Sequence, residues 1–160
     1  MKVPSTDSLD DFDLKILDIL QQDNLTSQRD IAERVALSPP AVHRRIQRLQ
    51  SLGVIARNVA VVEPEKVGRM ITLIVDVTVE SERIEQLTEL KQVFAEAPEV
   101  QQCYYVTGEP DFILVVTARD MKEYEAMTQR LFFGHPNVKR FRTYVVMDRV
   151  KATLNVPIQS

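Results

Sequence analysis

Cysteine is almost missing: Cys103 is the single one in 160 residues, which excludes an intrachain disulfide framework. Histidine is nearly as scarce, and His43 and His135 with one thiol are too few and too scattered for a Cys/His zinc site. No apolar run approaches the ~20 residues that cross a bilayer. The start, MKVPSTDSLDDFD, is acidic and lacks the apolar stretch of a signal peptide. There is no P-loop, no Gly-x-Gly-x-x-Gly fingerprint and no nucleophile–base–acid set from which to build an enzyme site. The expectation is a cytoplasmic, non-catalytic chain with no membrane partner, no metal and no cofactor.

What is present is the mix of a folded protein, 44% hydrophobic and 27% charged, with room at 18.3 kDa for one ordinary domain or two small ones. The net charge of −3 hides a local excess of the other sign. Between Gln28 and Asn58 stand Arg29, Arg34, Arg44, Arg45, Arg48 and Arg57 against only Asp30 and Glu33, and Ser38 to Leu52 contains no acid. Because salt confines a field to about 10 Å, such a patch can steer toward phosphate on an acidic protein; it can equally be a solvated helix face.

The first fifty-odd residues read as three short helices. Leu9, Phe12, Ile16, Leu17, Ile19 and Leu20 recur at helical spacing behind Asp10, Asp11 and Asp13, where a helix N-terminus favours negative charge. Asp23-Asn24 ends that helix. Ser27 caps a second, with Asp30 three residues on as a capping box and Ile31, Ala32 and Val35 as its apolar face. Ser38-Pro39 opens a third. Val42, Ile46 and Leu49 make its apolar stripe, Pro40, His43, Arg44 and Gln47 lie opposite with Arg45 and Arg48 on the flanks, and Gly53 ends it.

The second half alternates strands and helices. Period-two apolar residues run from Ile71 to Val79; Ser81 caps a helix bearing Ile84, Leu87, Leu90 and Phe94. Val100–Thr107 and Phe112–Thr117 flank the turn Gly108-Glu109-Pro110-Asp111 as a hairpin. Asp120 with Glu123 makes a capping box before a further helix, and Val138–Met147 is a last strand. The order is the ferredoxin-like βαββαβ unit, one antiparallel sheet with helices on one face. Its bare face needs a partner, so a dimer is expected at the least. The fold class is α+β: a winged-helix-like helix-turn-helix domain over residues 1–53, a linker strand and hinge over 54–68, and a ferredoxin-like sandwich over 69–160.

Two helices, the turn Ala36-Leu37-Ser38 and a basic third helix form the helix-turn-helix arrangement, whose last helix enters the major groove of double-stranded DNA. Ser38, Pro39 and Pro40 would place free amides at a phosphate, Arg44 and Arg48 would read guanine or hold phosphates, and His43 and Gln47 would meet base edges. The plainer alternatives stand beside these. His43 can be a solvated surface histidine, and Arg45 can pair with an acid of the first helix.

Leu9-Asp10-x-x-Asp13-x-x-Ile16-Leu17, Ile31-Ala32-Glu33-Arg34-Val35-Ala36-Leu37-Ser38, Arg45-Ile46-x-Arg48-Leu49 and Gly53-Val54-Ile55 together resemble the Lrp/AsnC (feast/famine) family of transcription regulators. Val106-Thr107-Gly108-x-x-Asp111-Phe112, Asp120-Met121-x-x-Tyr124 and Arg142-Thr143-Tyr144-Val145-Val146-Met147 extend the resemblance over nearly the whole chain. Asn24-Leu25-Thr26 and Gln50 depart from the family pattern. The resemblance implies a regulator that binds DNA sequence-specifically, responds to a non-covalent small effector, usually an amino acid, and assembles from dimers into tetramers or octamers. It also implies effector contacts at Gly108 and Asp111, with Tyr104, Met121 and Tyr144 as pocket walls. On the residues alone Gly108–Asp111 is a plain hairpin turn, and an effector-independent architectural DNA-binding protein is the alternative.

Overall fold

The computed structural model describes residues 9–158, so the reading of the acidic start over residues 1–8 lies outside it. The described residues divide into two compact units, one running to Ala60 and resuming at Lys151, the other Val61–Val150.

The first unit is three helices: α1 (Asp11–Gln22), α2 (Gln28–Val35) and α3 (Pro39–Ser51). Each begins where its sequence places a cap. Asp10 and Asp13 exchange side-chain and backbone hydrogen bonds in a full capping box, whereas Ser27 accepts from the Asp30 amide without the reciprocal bond. Ala36 takes a left-handed conformation (φ 55°) at the end of α2, and Gly53 (φ 71°) follows α3, letting the Val54 and Ile55 amides fold back onto the Leu49 carbonyl. Ile16, Leu17, Ile31, Ala32, Val35, Val42 and Leu49 are buried together, with Ile46 packed at their margin.

Two features of this unit differ from expectation. Its described residues include no strand, and Val59–Val62, whose pattern reads as extended, joins no ladder: Val61 is 86% exposed, because a segment becomes a strand only when another edge pairs with it. The chain's end, assigned by pattern to the second domain, instead packs here. Gln21 donates to the Val156 carbonyl and accepts from its amide (3.0 and 2.8 Å), Asn155 donates to the Gln21 carbonyl (3.1 Å), and Ile158 joins the helical core.

The second unit starts with a single 3₁₀ turn, Pro64–Val67, closed by Gly68. Four strands, β1 (Ile71–Val79), β2 (Val100–Tyr105), β3 (Phe112–Ala118) and β4 (Val138–Val145), form one antiparallel sheet in the order β2-β3-β1-β4. Two helices, α4 (Ile84–Glu96) and α5 (Met121–Thr128), complete the βαββαβ order. The β1 alternation sends Leu73, Val75, Val77 and Val79 to the core, where they meet Leu87, Leu90 and Phe94 of α4 and Phe112, Leu114 and Val116 of β3. Ser81 does not cap α4. Arg83 holds that position without a side-chain bond, and Ser81 accepts from the Arg83 amide (3.4 Å). Asp120 caps α5, but the Glu123 carboxylate turns to the Arg119 amide (2.5 Å) and to Arg69 (2.9 Å). From Thr128 the helix relaxes into a π turn, Gln129–Phe133, and Gly134 fits where a Cβ would sit 3.1 Å from the Gln129 carbonyl oxygen.

Candidate nucleic-acid interface and effector loop

Helix α3 presents its unburied side as one surface. Ser38, Pro39, Pro40, His43, Arg44, Gln47 and Arg48 are all exposed, and the helix carries no acid. The helix start departs from the sequence reading in one respect. Pro39 and Pro40 have no N–H, the Ala41 amide meets the Ser38 hydroxyl oxygen (3.4 Å) and carbonyl (2.9 Å), and the Val42 amide bonds the same carbonyl (3.1 Å). Residues 39–42 therefore have no spare amide for a phosphate. What the start retains is the Ser38 hydroxyl proton and the positive end of the helix dipole.

The arginines sort into two kinds. Asp13 is fully buried, and its carboxylate holds Arg45 through one oxygen and Arg48 through the other, each at 2.8 Å. Arg45 also reaches Asp10 at 2.8 Å and lies over the Phe12 ring, so of the two readings open for it the ion pair is the one observed. The hydrogen bonds that Arg45 donates to Asp13 and then to Asp10 raise its pKa. Partial desolvation pushes the Asp10 carboxyl up, but the Asp13 amide and Arg45 outweigh it and hold the group below its ordinary value. Arg48 is anchored yet still 42% exposed in its side chain. Arg44, by contrast, is exposed and forms no ion pair among the described residues. One contact was not foreseen: Gln28, at the start of α2, places its amide nitrogen 2.9 Å from His43 Nδ1. The two residues lie on different helices, and no periodicity connects them.

In the sheet unit the hairpin loop is tied to the neighbouring strand. The Asp111 amide donates to the Val77 carbonyl (2.9 Å), and Asp111 Oδ2 accepts from the Val79 amide (2.8 Å). Asp111 thus holds the loop against β1, and of the loop amides only those of Gly108 and Glu109 remain as carboxylate donors. Gly108 sits at φ 136°, a conformation that a side chain disfavours although space for one exists. The Glu109 carboxylate is taken up by Arg140 (2.9 Å).

The uncovered sheet face carries Ile74, Asp76, Tyr104, Ile113, Arg142 and Tyr144. Asp76 is buried there beneath Arg142 (3.0 Å) and the Tyr144 hydroxyl (3.1 Å), and hydrogen bonding to it raises the Arg142 pKa. The basic run is paired throughout, Lys139 with Glu80 and Arg140 with Glu109 beside Arg142 with Asp76. Tyr104 and Tyr144 are each about half exposed, on the two edge strands. Three strand spacings, about 14 Å, separate those edges. Met121 is half exposed at the first position of α5. Within one protomer the residues expected to line an effector pocket do not converge. Cavities of about 220 and 210 Å³ are lined by others, the first by Leu14, Ile19, Val35 and Ile158, the second by Met70, Thr72 and Val146–Arg149. Burial raises the Cys103 thiol pKa, against a smaller opposite effect of Lys91, as suits a small hydrophobe. No helix of the described residues is long and apolar enough to cross a membrane.

Comparison with known proteins agrees with both halves of this description. Residues 9–56 match the model for winged helix-turn-helix DNA-binding domains, and residues 72–156 match that for the Lrp/AsnC ligand binding domain. An uncharacterised HTH-type transcriptional regulator of Sinorhizobium fredii is 48% identical over 94% of this chain and 89% of its own length. A crystal structure of an AsnC family transcriptional regulator from Agrobacterium tumefaciens superposes with a TM-score of 0.87 at 34% identity, covering 93% of this chain and 97% of that one. A transcriptional regulator of Neisseria meningitidis, solved as a complex with L-methionine, gives a TM-score of 0.87 at 27% identity over 94% and 97%. The helix-turn-helix with an acid-free outer face, joined to a four-stranded ligand-binding unit, thus belongs to the Lrp/AsnC family of DNA-binding transcription regulators.

Proposed function

We propose that α3 is the DNA-reading helix of a cytoplasmic, non-catalytic regulator whose assembly, and through it DNA binding, responds to an amino acid. The exposed Arg44, on a helix without acids and with no ion pair among the described residues, carries the reading: its guanidinium has five donors, the chemistry that suits guanine or phosphate. His43 and Gln47 flank it for base edges. The Ser38 hydroxyl, with Pro39 and Pro40 packed against sugar, fixes register, and Arg48 reaches phosphate from its Asp13 anchor. Two such helices on a dimer meet half-sites about 34–36 Å apart on one face of the duplex.

The half-exposed Ile74, Tyr104 and Tyr144 support pairing through the open sheet face, since large apolar patches are rarely left to solvent. Tetramers or octamers build from that pair. Because Tyr104 and Tyr144 stand on opposite edges, they wall an effector pocket together with Gly108, Asp111 and Met121 only where protomers meet. The Gly108 and Glu109 amides of the hairpin loop receive the effector carboxylate, and Asp111 Oδ1, the oxygen not bonded to the Val79 amide, receives its ammonium. The L-methionine complex of the Neisseria relative supports an amino acid as the class. The effector needs only to prefer one assembly state by about 1–3 kcal/mol to change DNA affinity 5- to 150-fold.

Gel shift on a genomic fragment library at fixed salt, repeated with each amino acid, tests both parts. Arg44→Ala is expected to weaken binding about 5- to 100-fold. Binding insensitive to salt and to Arg44→Ala would overturn the DNA reading. Binding that no amino acid shifts would leave the architectural alternative.

A further inference from the structure

The Gln28–His43 contact decides what His43 can offer. A glutamine amide nitrogen only donates, so the ring nitrogen it meets at 2.9 Å is the one without a proton. A neutral imidazole then carries its proton on Nε2. Nδ1 is the atom nearer the backbone, and it is spent within the protein. Nε2 lies at the outer end of an exposed side chain on the acid-free face of α3. We infer that Gln28 is a specificity-positioning residue: it fixes His43 as an outward hydrogen-bond donor, so that His43 selects a base edge bearing an acceptor.

In the major groove the acceptors are guanine N7 and O6, adenine N7 and thymine O4, while cytosine N4 and adenine N6 donate. A donor-only His43 therefore favours guanine, whose two acceptors adjoin, and opposes cytosine at the same place. Without Gln28 the ring exchanges tautomers and rotates freely. It then presents donor and acceptor by turns, and base preference falls while contact remains. Gln28 also costs little to remove. It is an exposed first residue of α2, whose cap bond runs from the Asp30 amide to the Ser27 hydroxyl oxygen and does not involve it.

The inference rests on α3 being the reading helix, and the experiment separates the two. Sites are selected from a randomised duplex library by the full-length wild type, Gln28→Ala, His43→Ala and the double variant, with Arg44→Ala alongside. Wild type is expected to prefer guanine by about fivefold at one base pair of each half-site, the discrimination of one modest base contact. His43→Ala abolishes that preference, Gln28→Ala reduces it to about twofold or less with overall affinity nearly unchanged, and the double variant matches His43→Ala. The ¹⁵N spectrum of the imidazole shows a bare Nδ1 and protonated Nε2 in wild type, and a tautomer mixture in Gln28→Ala. A merely structural role for Gln28 would not move that spectrum. An intact guanine preference in Gln28→Ala, a protonated Nδ1 in the neutral wild-type ring, or a Gln28 effect that persists without His43 overturns the inference. Loss of neither affinity nor preference in Arg44→Ala and His43→Ala overturns the reading beneath it.

Discussion

The sheet unit buries Phe94, which meets Phe112 and Phe132 edge-on (centroids 5.4 and 6.0 Å), within a core that spans four strands and two helices. The helical unit buries no aromatic ring among its described residues. Its core is seven aliphatic side chains, and beside them lies a buried aspartate with two arginines. At about 1.5–3 kcal/mol for each fully buried aliphatic or aromatic side chain, the smaller core has far less to set against chain entropy. Helix caps, an ionic lattice and a returning tail make up part of the difference. The contrast also suits the tasks. Under the proposed function the sheet unit carries the ligand and the protomer contacts, while the helical unit needs only to hold α3 in place.

The largest expected effects break the comparison from its two ends. Phe94→Ala removes the ring that touches both Phe112 and Phe132, at a cost of about 3–5 kcal/mol. Hydrogen exchange followed peptide by peptide should accelerate across β1–β4 and α4, with α1–α3 unchanged. Equal acceleration in α1–α3 would show that the helical unit borrows its stability from the sheet. Asp13→Ala is the counterpart. It takes one carboxylate from Arg45, which keeps Asp10, and one from Arg48, and it removes the Asp10 amide's partner. We expect about 2–3 kcal/mol, less than for a fully buried pair because both guanidiniums can rehydrate. Exchange should rise in α1–α3 alone, and a cost under about 1 kcal/mol would reduce the lattice to an ordinary surface pair.

The same contrast explains what could be read from the sequence. The β1 alternation from Ile71 to Val79, the Ser38-Pro39 start and the βαββαβ order are local or periodic, and all are present. The motifs carried the family as well. Other features depend on pairs distant in the chain and leave no periodic trace. Arg48, expected to read guanine or hold phosphates, is also held by Asp13; Asp111, expected to hold an effector, also holds β1; Val59–Val62 lacks the strand partner its pattern suggested. The α3 start offers no spare amide at residues 39–42 for a simpler reason: two consecutive prolines have none, and the next two amides bond Ser38.

A smaller effect sharpens the role of the tail. Ile158 is half-buried against Leu14, Ile19 and Val35, and Gln21 clasps the Val156 backbone as a neighbouring strand would. Ile158→Ala should cost the helical unit about 1 kcal/mol. Exchange should rise in α1 peptides and stay unchanged in β1–β4. No change in α1 would mean that the tail adds no stability to the unit it lies on.

The smallest effect concerns acid. The Asp10 carboxyl is pushed up by partial desolvation but held below its ordinary value by the Asp13 amide and Arg45. A group whose pKa falls on folding stabilises above its unfolded value, about pH 4 for aspartate, and that contribution disappears as pH drops through the folded value. Asp10→Asn keeps a good cap but removes the charge. At neutral pH it should cost about 0.5 kcal/mol, the size of a solvent-screened pair, since the Asp10 side chain is half exposed. From about pH 4 downward that contribution shrinks, and below the folded value the wild type has lost the same charge by protonation, so the two stabilities should converge. The sheet unit has a parallel group in Glu123, whose carboxyl the Arg119 amide and Arg69 hold low despite opposing desolvation. Acid therefore weakens both units, and only the difference between wild type and Asp10→Asn, read in α1 peptides from pH 7 downward, isolates the helical one. A difference that stays constant with pH would assign the effect to cap geometry and not to charge.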